Sequence, residues 1–318
     1  MRERIEGAGA RFLTPVDEGY PGELADLHDP PAWLFVRGQP IRDGALRVAI
    51  VGSRRCSALG RELAHELGRR LASVGVCVVS GAAAGIDGRS HEGALAAAGP
   101  TIAVLGSGID VAYPRSNGEL IAAVASAEGG TVISEYPPGT PARPYHFPAR
   151  NRIVAALGTG LVVVEGAGKS GSRISVDHAL DLGREVFAIP GPVTSPLAEV
   201  PLEMIREGAT MIRGADDLLL DLGVNEAGPA AAAVEGSLFA ADATATGADT
   251  GGIMDLSGSV RDVYAALTGP ALPDDLARRV GCSIPEAVAA LTELEIRGLV
   301  RTVGGRYERR LLASRSVR

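Results

Sequence analysis

Four short segments rich in Gly and Ser carry the groups that can hold a phosphate. They are Gly52-Ser-Arg-Arg-Cys-Ser57, Ser80-Gly-Ala-Ala-Ala-Gly-Ile-Asp87, Gly106-Ser-Gly-Ile-Asp110 and Glu165-Gly-Ala-Gly-Lys-Ser-Gly-Ser172. Small residues let a backbone approach an anion closely, free N–H groups at a helix start attract it, and Arg54 adds a guanidinium fork. Gly52, Ser53, Arg54, Ser80, Gly81, Lys169, Ser170 and Gly171 are the candidate contacts in these loops. None is a Walker loop, because Lys169 is followed by Ser-Gly at the wrong spacing from an earlier Gly, and none shows the full GxGxxG fingerprint.

A fifth stretch, Tyr145-His-Phe-Pro-Ala-Arg-Asn-Arg-Ile-Val154, supplies aromatic and cationic groups together. Pro148 ends the extended segment and predicts a helix from about Ala149, with Arg150, Asn151 and Arg152 in its first turn. The helix dipole disfavours arginine at that end, so these two need an anion nearby. Two readings fit. The arginines and Phe147 contact phosphates and bases of a single strand, or Phe147 is core and the arginines pair with Asp or Glu of the same domain.

Candidates for catalysis are few. His28, His65, His91, His146 and His178 show no metal-ligand spacing. Asp87 and His91 stand four apart on a predicted helix, a pattern read as a helix-start cap with a polar contact. Cys56 lies near a helix start, where a thiol pKa falls, but no base accompanies it. Glu165 is the best lone carboxylate and can equally cap a neighbouring loop. No catalytic residue, metal or cofactor is therefore assigned.

The elements that must position these loops are legible as alternation. Strand-like runs at 47–51, 76–79, 101–105, 131–134, 161–164 and 185–189 are separated by helical patterns at 59–73, 85–98, 116–127 and 172–182. Near-continuous apolar strands between helices indicate a doubly wound α/β domain with a parallel sheet, placed at 47–222 after an N-terminal extension, 1–46. Ligands of such sheets bind beyond the carboxyl ends of the strands, where all four loops fall.

Charge sorts the rest of the chain. The net charge of −7 argues against a strongly cationic protein. Yet residues 221–255 hold six Asp or Glu and no Lys or Arg, whereas 256–318 hold ten Arg against seven acids. The segment 223–255, rich in Ala, Gly, Thr and Asp, reads as a flexible acidic linker. Residues 256–318 read as three helices and a hairpin around Gly304-Gly305, a winged-helix pattern. Its third helix opens with the capping box Ser283-Ile-Pro-Glu286. That helix carries Glu286, Glu293 and Glu295 against Arg297 alone, which suits partner docking or a structural role better than reading duplex DNA. Three scattered cysteines, no apolar signal core at the start and no run of about 20 apolar residues predict a cytoplasmic protein off the membrane.

Val48-Ala-Ile-Val-Gly-Ser-Arg54, Ser80-Gly-x-Ala-x-Gly-Ile-Asp87 with His91, Thr101-Ile-Ala-Val-Leu-Gly106, Tyr113-Pro114, Ser134-Glu-Tyr-Pro-Pro-Gly139, Phe147-Pro-x-Arg-Asn-Arg-Ile153, Ser170-Gly-Ser172 and Pro190-Gly191 occur in this order. Together they resemble the bacterial DNA-processing protein A family, also called Smf, over roughly residues 20–220. The resemblance implies an extended Rossmann-like domain that binds single-stranded DNA without sequence preference and catalyses no reaction. It also implies protection of incoming DNA in natural transformation, loading of a RecA-type recombinase, and a homodimer through the Rossmann-like domain. Arg54 then belongs to the phosphate-binding loop, and Phe147, Arg150 and Arg152 line the DNA groove.

The chain departs from the family pattern in three places. About twenty residues precede Tyr20-Pro21, where relatives usually have a helical domain. Ser170-Gly-Ser-Arg-Ile-Ser-Val176 places Arg173 where many relatives carry Leu, as a further phosphate contact or in another role. Leu197-Ala-Glu-Val-Pro201 replaces an Ala-Gly pair. Two rival functions are weighed: a phosphoribohydrolase-type nucleotide enzyme, whose Pro-Gly-Gly-x-Gly-Thr signature is missing at Glu165-Gly-Ala-Gly-Lys-Ser, and a transcriptional regulator, which the acidic third helix disfavours.

Overall fold

The computed structural model describes residues 1–168, 171–224, 258–267, 271–296, 300–303 and 306–309. Contacts divide the chain into two units, Met1–Ala240 and Ala241–Arg318. The boundary between them, the linker read at 223–255 beyond Val224, Lys169, Ser170, Arg297 and the Gly304-Gly305 turn lie outside the described residues.

The first unit begins with a short helix α1 (Arg2–Gly7) and two strands, β1 (Arg11–Leu13) and β2 (Leu34–Gly38). The alternation follows: β3 (Arg47–Val51), α2 (Ala58–Ser73), β4 (Cys77–Ser80), α3 (Ile86–Ala96), β5 (Thr101–Leu105), α4 (Gly118–Ser126), β6 (Gly130–Ser134), α5 (His146–Leu157), β7 (Gly160–Val163), α6 (Gly171–Asp181), β8 (Glu185–Ala188), α7 (Glu199–Arg206), β9 (Thr210–Met211) and α8 (Ala215–Asp221). The sheet order is β1-β2-β6-β5-β4-β3-β7-β8-β9. All pairs from β6 to β9 are parallel, whereas β2 runs antiparallel to β6 and β1 antiparallel to β2. The domain thus starts within the segment read as an extension: the apolar Leu34-Phe-Val36 adds strand to the sheet rather than merely leading into it.

The strands are apolar on both faces because helices cover both. Ala49, Val51, Val79, Val104 and Val163 face α5, α6 and α7, and Val48, Ile50, Val78 and Val162 face α2, α3 and α8. Each buried Val or Ile contributes roughly 1.5–3 kcal/mol, so the strand ends form a rigid edge. The direction changes from β3 to β7 on one side and to β4 on the other, a switch point that opens a crevice beyond the carboxyl ends.

The second unit packs three helices, α9 (Gly258–Ala266), α10 (Pro273–Val280) and α11 (Ile284–Ile296), with the antiparallel hairpin β10 (Val300–Val303) and β11 (Arg306–Arg309). Val263, Leu267, Leu276, Leu291 and Leu294 fill its core. The capping box is formed: the Ser283 N–H donates to Glu286 Oε2 at 2.8 Å, and the Glu286 N–H to Ser283 Oγ at 3.4 Å.

Candidate nucleic-acid interface

The four Gly/Ser loops do converge on the carboxyl edge, and several main-chain donors in and beside them are already used. Glu165 accepts from the Ser57 N–H at 2.8 Å and from Ser57 Oγ at 2.5 Å, which places its carboxylate at the start of α2. Gly60 makes this possible, since a Cβ there would collide with that carboxylate. Asp87 accepts main-chain bonds from Gly81 and Ala83. Asp110 accepts from the Gly139 N–H at 2.6 Å, and Glu199 from the Gly168 N–H at 2.8 Å. Four carboxylates of the chain occupy positions that phosphate oxygens would otherwise take. The start of α2, predicted to attract an external anion, is internally neutralised. Glu199 belongs to the segment that departs from the family pattern, and capping Gly168 is what it does there.

What remains open to solvent is side-chain chemistry. Arg54 and Arg55 follow β3 and are exposed. The Arg54 guanidinium lies over the Phe147 ring, 4.9 Å from its centroid. The Tyr113 ring stands 5.0 Å from Phe147 and tilts by 33°. Two adjoining clefts meet at this point. One, of about 730 Å³, is lined by Gly52, Ser53, Arg54, Arg55, Asn151 and Gly171, among others. The other, of about 130 Å³, lies among Arg54, Gly81, Tyr113 and Phe147. A cation above one flat ring with a second ring at its side is a place for a base and its phosphate.

The two arginines of α5 diverge. The helix starts at His146 rather than Ala149, because Pro148 falls in the first turn, where the missing N–H costs nothing. Arg150 is 2% exposed and donates to the carbonyls of Gly81, at 2.6 Å, and Val104. Beneath Gly81 it faces Asp87; a Cβ on that glycine would collide with both side chains. Burial pushes the Asp87 carboxyl up, opposed by Arg150 and Arg54. Burial lowers Arg150 to about 10, against the pull of Asp87, so it keeps its charge at neutral pH. Arg150 lines the floor of the larger cleft and anchors the loop after β4. Arg152 points elsewhere: it grips Glu135 through two bonds of 3.0 and 2.7 Å and approaches Asp29 at 3.8 Å. For Arg152, then, the reading as a partner of acids within the domain describes the geometry.

Other candidates are placed as follows. Ser80 is buried and donates to the Ile50 carbonyl at 2.6 Å, tying β4 to β3. Asn151 donates to the Gly171 carbonyl at 3.2 Å, joining the starts of α5 and α6. Arg173 is held by Asp177, Glu203 and Glu207. His91 turns from Asp87 to Thr101, with Nδ1 2.7 Å from Oγ1. Burial lowers its pKa to about 4, so the ring is neutral. The Cys56 thiol is raised, not lowered: it is buried, and Glu165 fills the helix start expected to stabilise a thiolate.

Residues 11–223 match the family model described as DNA recombination-mediator protein A, and residues 254–306 match that of the DprA winged helix domain. The chain belongs to the DNA recombination-mediator protein A family. It is 36% identical over 301 residues to Protein Smf of Escherichia coli K12, covering 93% of this chain and 77% of that protein. It is 41% identical over 215 residues to DNA processing protein DprA of Bacillus subtilis, covering 67% and 72%. Among solved structures it resembles DprA from Streptococcus pneumoniae, with a TM-score of 0.64 and 36% identity over 69% of this chain and 77% of that one. It also resembles DprA from Helicobacter pylori, reported for that protein's single-stranded DNA binding mode, with a TM-score of 0.61 and 29% identity over 68% and 97%. Both domains expected from the motifs are thus those of the family. Among the described residues no helix is long and apolar enough to cross a membrane.

Proposed function

We propose that the α/β domain binds single-stranded DNA without sequence preference, on the face where Arg54 covers Phe147. The observation that carries this reading is that cation–ring pair with Tyr113 beside it, set between two clefts, with the Ser57 and Gly168 N–H groups nearby already bonded to carboxylates of the chain. A small anionic ligand needs those donors, whereas a strand needs flat rings and exposed guanidinium groups. Arg54, Arg55, Phe147, Asn151 and Gly171 form the contact surface. Gly52, Ser53, Ser80, Gly81 and Arg150 shape it from beneath, and Arg152 braces α5; Lys169 and Ser170, outside the described residues, are further contacts proposed from the sequence alone.

The same reading disfavours nucleotide hydrolysis. Glu165, the best lone carboxylate for such a reaction, is committed to Ser57. The biological role we infer is protection of incoming DNA and its transfer to a RecA-type recombinase in natural transformation or recombination, without catalysis, by a cytoplasmic homodimer joined through the α/β domains. Family membership and the DNA-processing relatives support it. The acidic outer face of α11 suits the winged helix to docking a partner rather than duplex DNA.

The test is fluorescence anisotropy of a labelled oligo-dT of about 30 nucleotides, competed with duplex DNA and nucleoside monophosphates. Binding that neither competitor displaces supports the reading. Binding lost to a mononucleotide contradicts it.

A further inference from the structure

The binding face does not end at Phe147. Among the described residues four aromatic side chains are exposed, Phe12, Trp33, Tyr113 and Tyr145. All four lie at the carboxyl edge of the sheet or in loops that follow it. Trp33 stands just before β2, which is antiparallel to β6, so it reaches the same edge as Glu135. The indole N–H donates to the Glu135 carbonyl at 3.0 Å. Phe12 of β1 stacks beside it, with ring centroids 6.5 Å apart.

Between Phe147 and this pair the rings are nearly continuous. Tyr145 meets His146 edge-on at 4.7 Å, and His146 stacks on Tyr136 at 4.0 Å. Tyr136 adjoins Glu135, which holds Trp33. Exposed arginines flank the path: Arg143 donates to the Tyr145 hydroxyl at 2.9 Å, Arg4 donates to the Pro138 carbonyl, and Arg11 precedes Phe12. Nearby acids are engaged, Glu135 and Asp29 with Arg152 and Asp110 with the Gly139 N–H.

We infer that Trp33 and Phe12 form a second stacking station for the same single strand, reached after it leaves the Arg54–Phe147 pocket. The inference rests on the proposed function and extends its site. The occupant follows from spacing and charge. Phe147 packs on Gly106 at the end of β5, and β2 lies two strand positions away, about 10 Å at the usual separation. A strand whose bases are parted by inserted rings advances about 7 Å per nucleotide, twice the ~3.4 Å stacking repeat. One to three nucleotides therefore span the interval, over exposed guanidinium groups and the exposed Tyr145 ring, suited to phosphates and bases.

Trp33 is the only tryptophan of the chain, so its emission reports on this station alone. The full chain is titrated with end-labelled oligo-dT of about 3 and about 20 nucleotides, reading anisotropy and tryptophan emission together. The expected result is that the longer strand quenches emission with the same midpoint as the anisotropy change, while the short one leaves emission nearly constant. Trp33→Leu should lower affinity for the long strand about fivefold or more and leave the short one unchanged, and Trp33→Phe should restore most of the loss.

Binding by anisotropy with constant emission, and with affinity indifferent to Trp33→Leu, overturns the second station and leaves the proposed function intact. Absence of any binding overturns both. Emission that changes with protein concentration before DNA is added means that a second copy covers the patch, which also overturns the inference.

Discussion

The guanidinium of Arg54 and the ring of Phe147 belong to different elements, the loop after β3 and the start of α5, yet they lie face to face at 4.9 Å. Their alignment leaves one flat, cationic surface at the junction of two clefts, and the loops around it are braced by internal acids. The predictions below separate the groups that meet DNA from those that hold them in place.

Phe147→Leu should weaken binding of oligo-dT by about 5- to 100-fold, the range for losing one base-stacking ring, with no change in the urea unfolding midpoint beyond the error of the measurement. Equal affinity for the variant in an anisotropy titration would remove Phe147 from the site.

Arg150→Ala should act through stability instead. It breaks bonds to the Gly81 and Val104 carbonyls and removes the stronger of the two positive charges acting on the buried Asp87. Leaving buried carbonyls without their donor costs about 1–3 kcal/mol each, read as a lower midpoint in urea. Arg152→Ala, by contrast, should leave DNA affinity within about twofold of the parent, since its contacts are Glu135 and Asp29.

Glu165→Ala should cost about 1 kcal/mol through loss of the helix cap. It should also free the start of α2 for an external anion. Inorganic phosphate should then raise the melting temperature of the variant and leave that of the parent unchanged. Identical responses would mean that Glu165 does not fill that site.

His91 should make the α/β domain acid-sensitive. Its folded pKa, about 4, lies below the 6.5 of an ordinary imidazole. The unfolded chain therefore takes up the proton first, so stability is intact above pH 6.5 and falls as the pH is lowered toward 4. Between pH 6.5 and 5 the loss is about 1.5 kcal/mol. Denaturant midpoints across that window, compared with His91→Gln, should show the slope in the parent and a flatter profile in the variant.

Much of this arrangement was legible in the sequence. Six of the seven parallel strands and their loops follow from apolar runs alternating with helical patterns, and Arg54 and Phe147 from their residue types. The opposite fates of Arg150 and Arg152 were also within reach. His146, Arg150, Ile153, Val154 and Leu157 form one buried stripe of α5, and a residue two positions from Arg150 must face away. Reading both arginines as one cluster missed that periodicity. The capping by Glu165, 108 positions from Ser57, was not legible, because nothing local specifies which acid reaches a distant helix start. Strand β1 is only three residues long and carries the exposed Phe12, so its pairing with β2 leaves little pattern of its own.

The most direct test of the central claim is the salt dependence of oligo-dT binding by the full chain, compared with Arg54→Ala. Each phosphate neutralised on a single strand contributes about 0.7 to the slope of log affinity against log salt. The account predicts a steep slope for the parent, a slope smaller by about 0.7 for the variant, and weaker binding for every sequence alike. An unchanged slope and affinity in Arg54→Ala would place the strand elsewhere on the molecule.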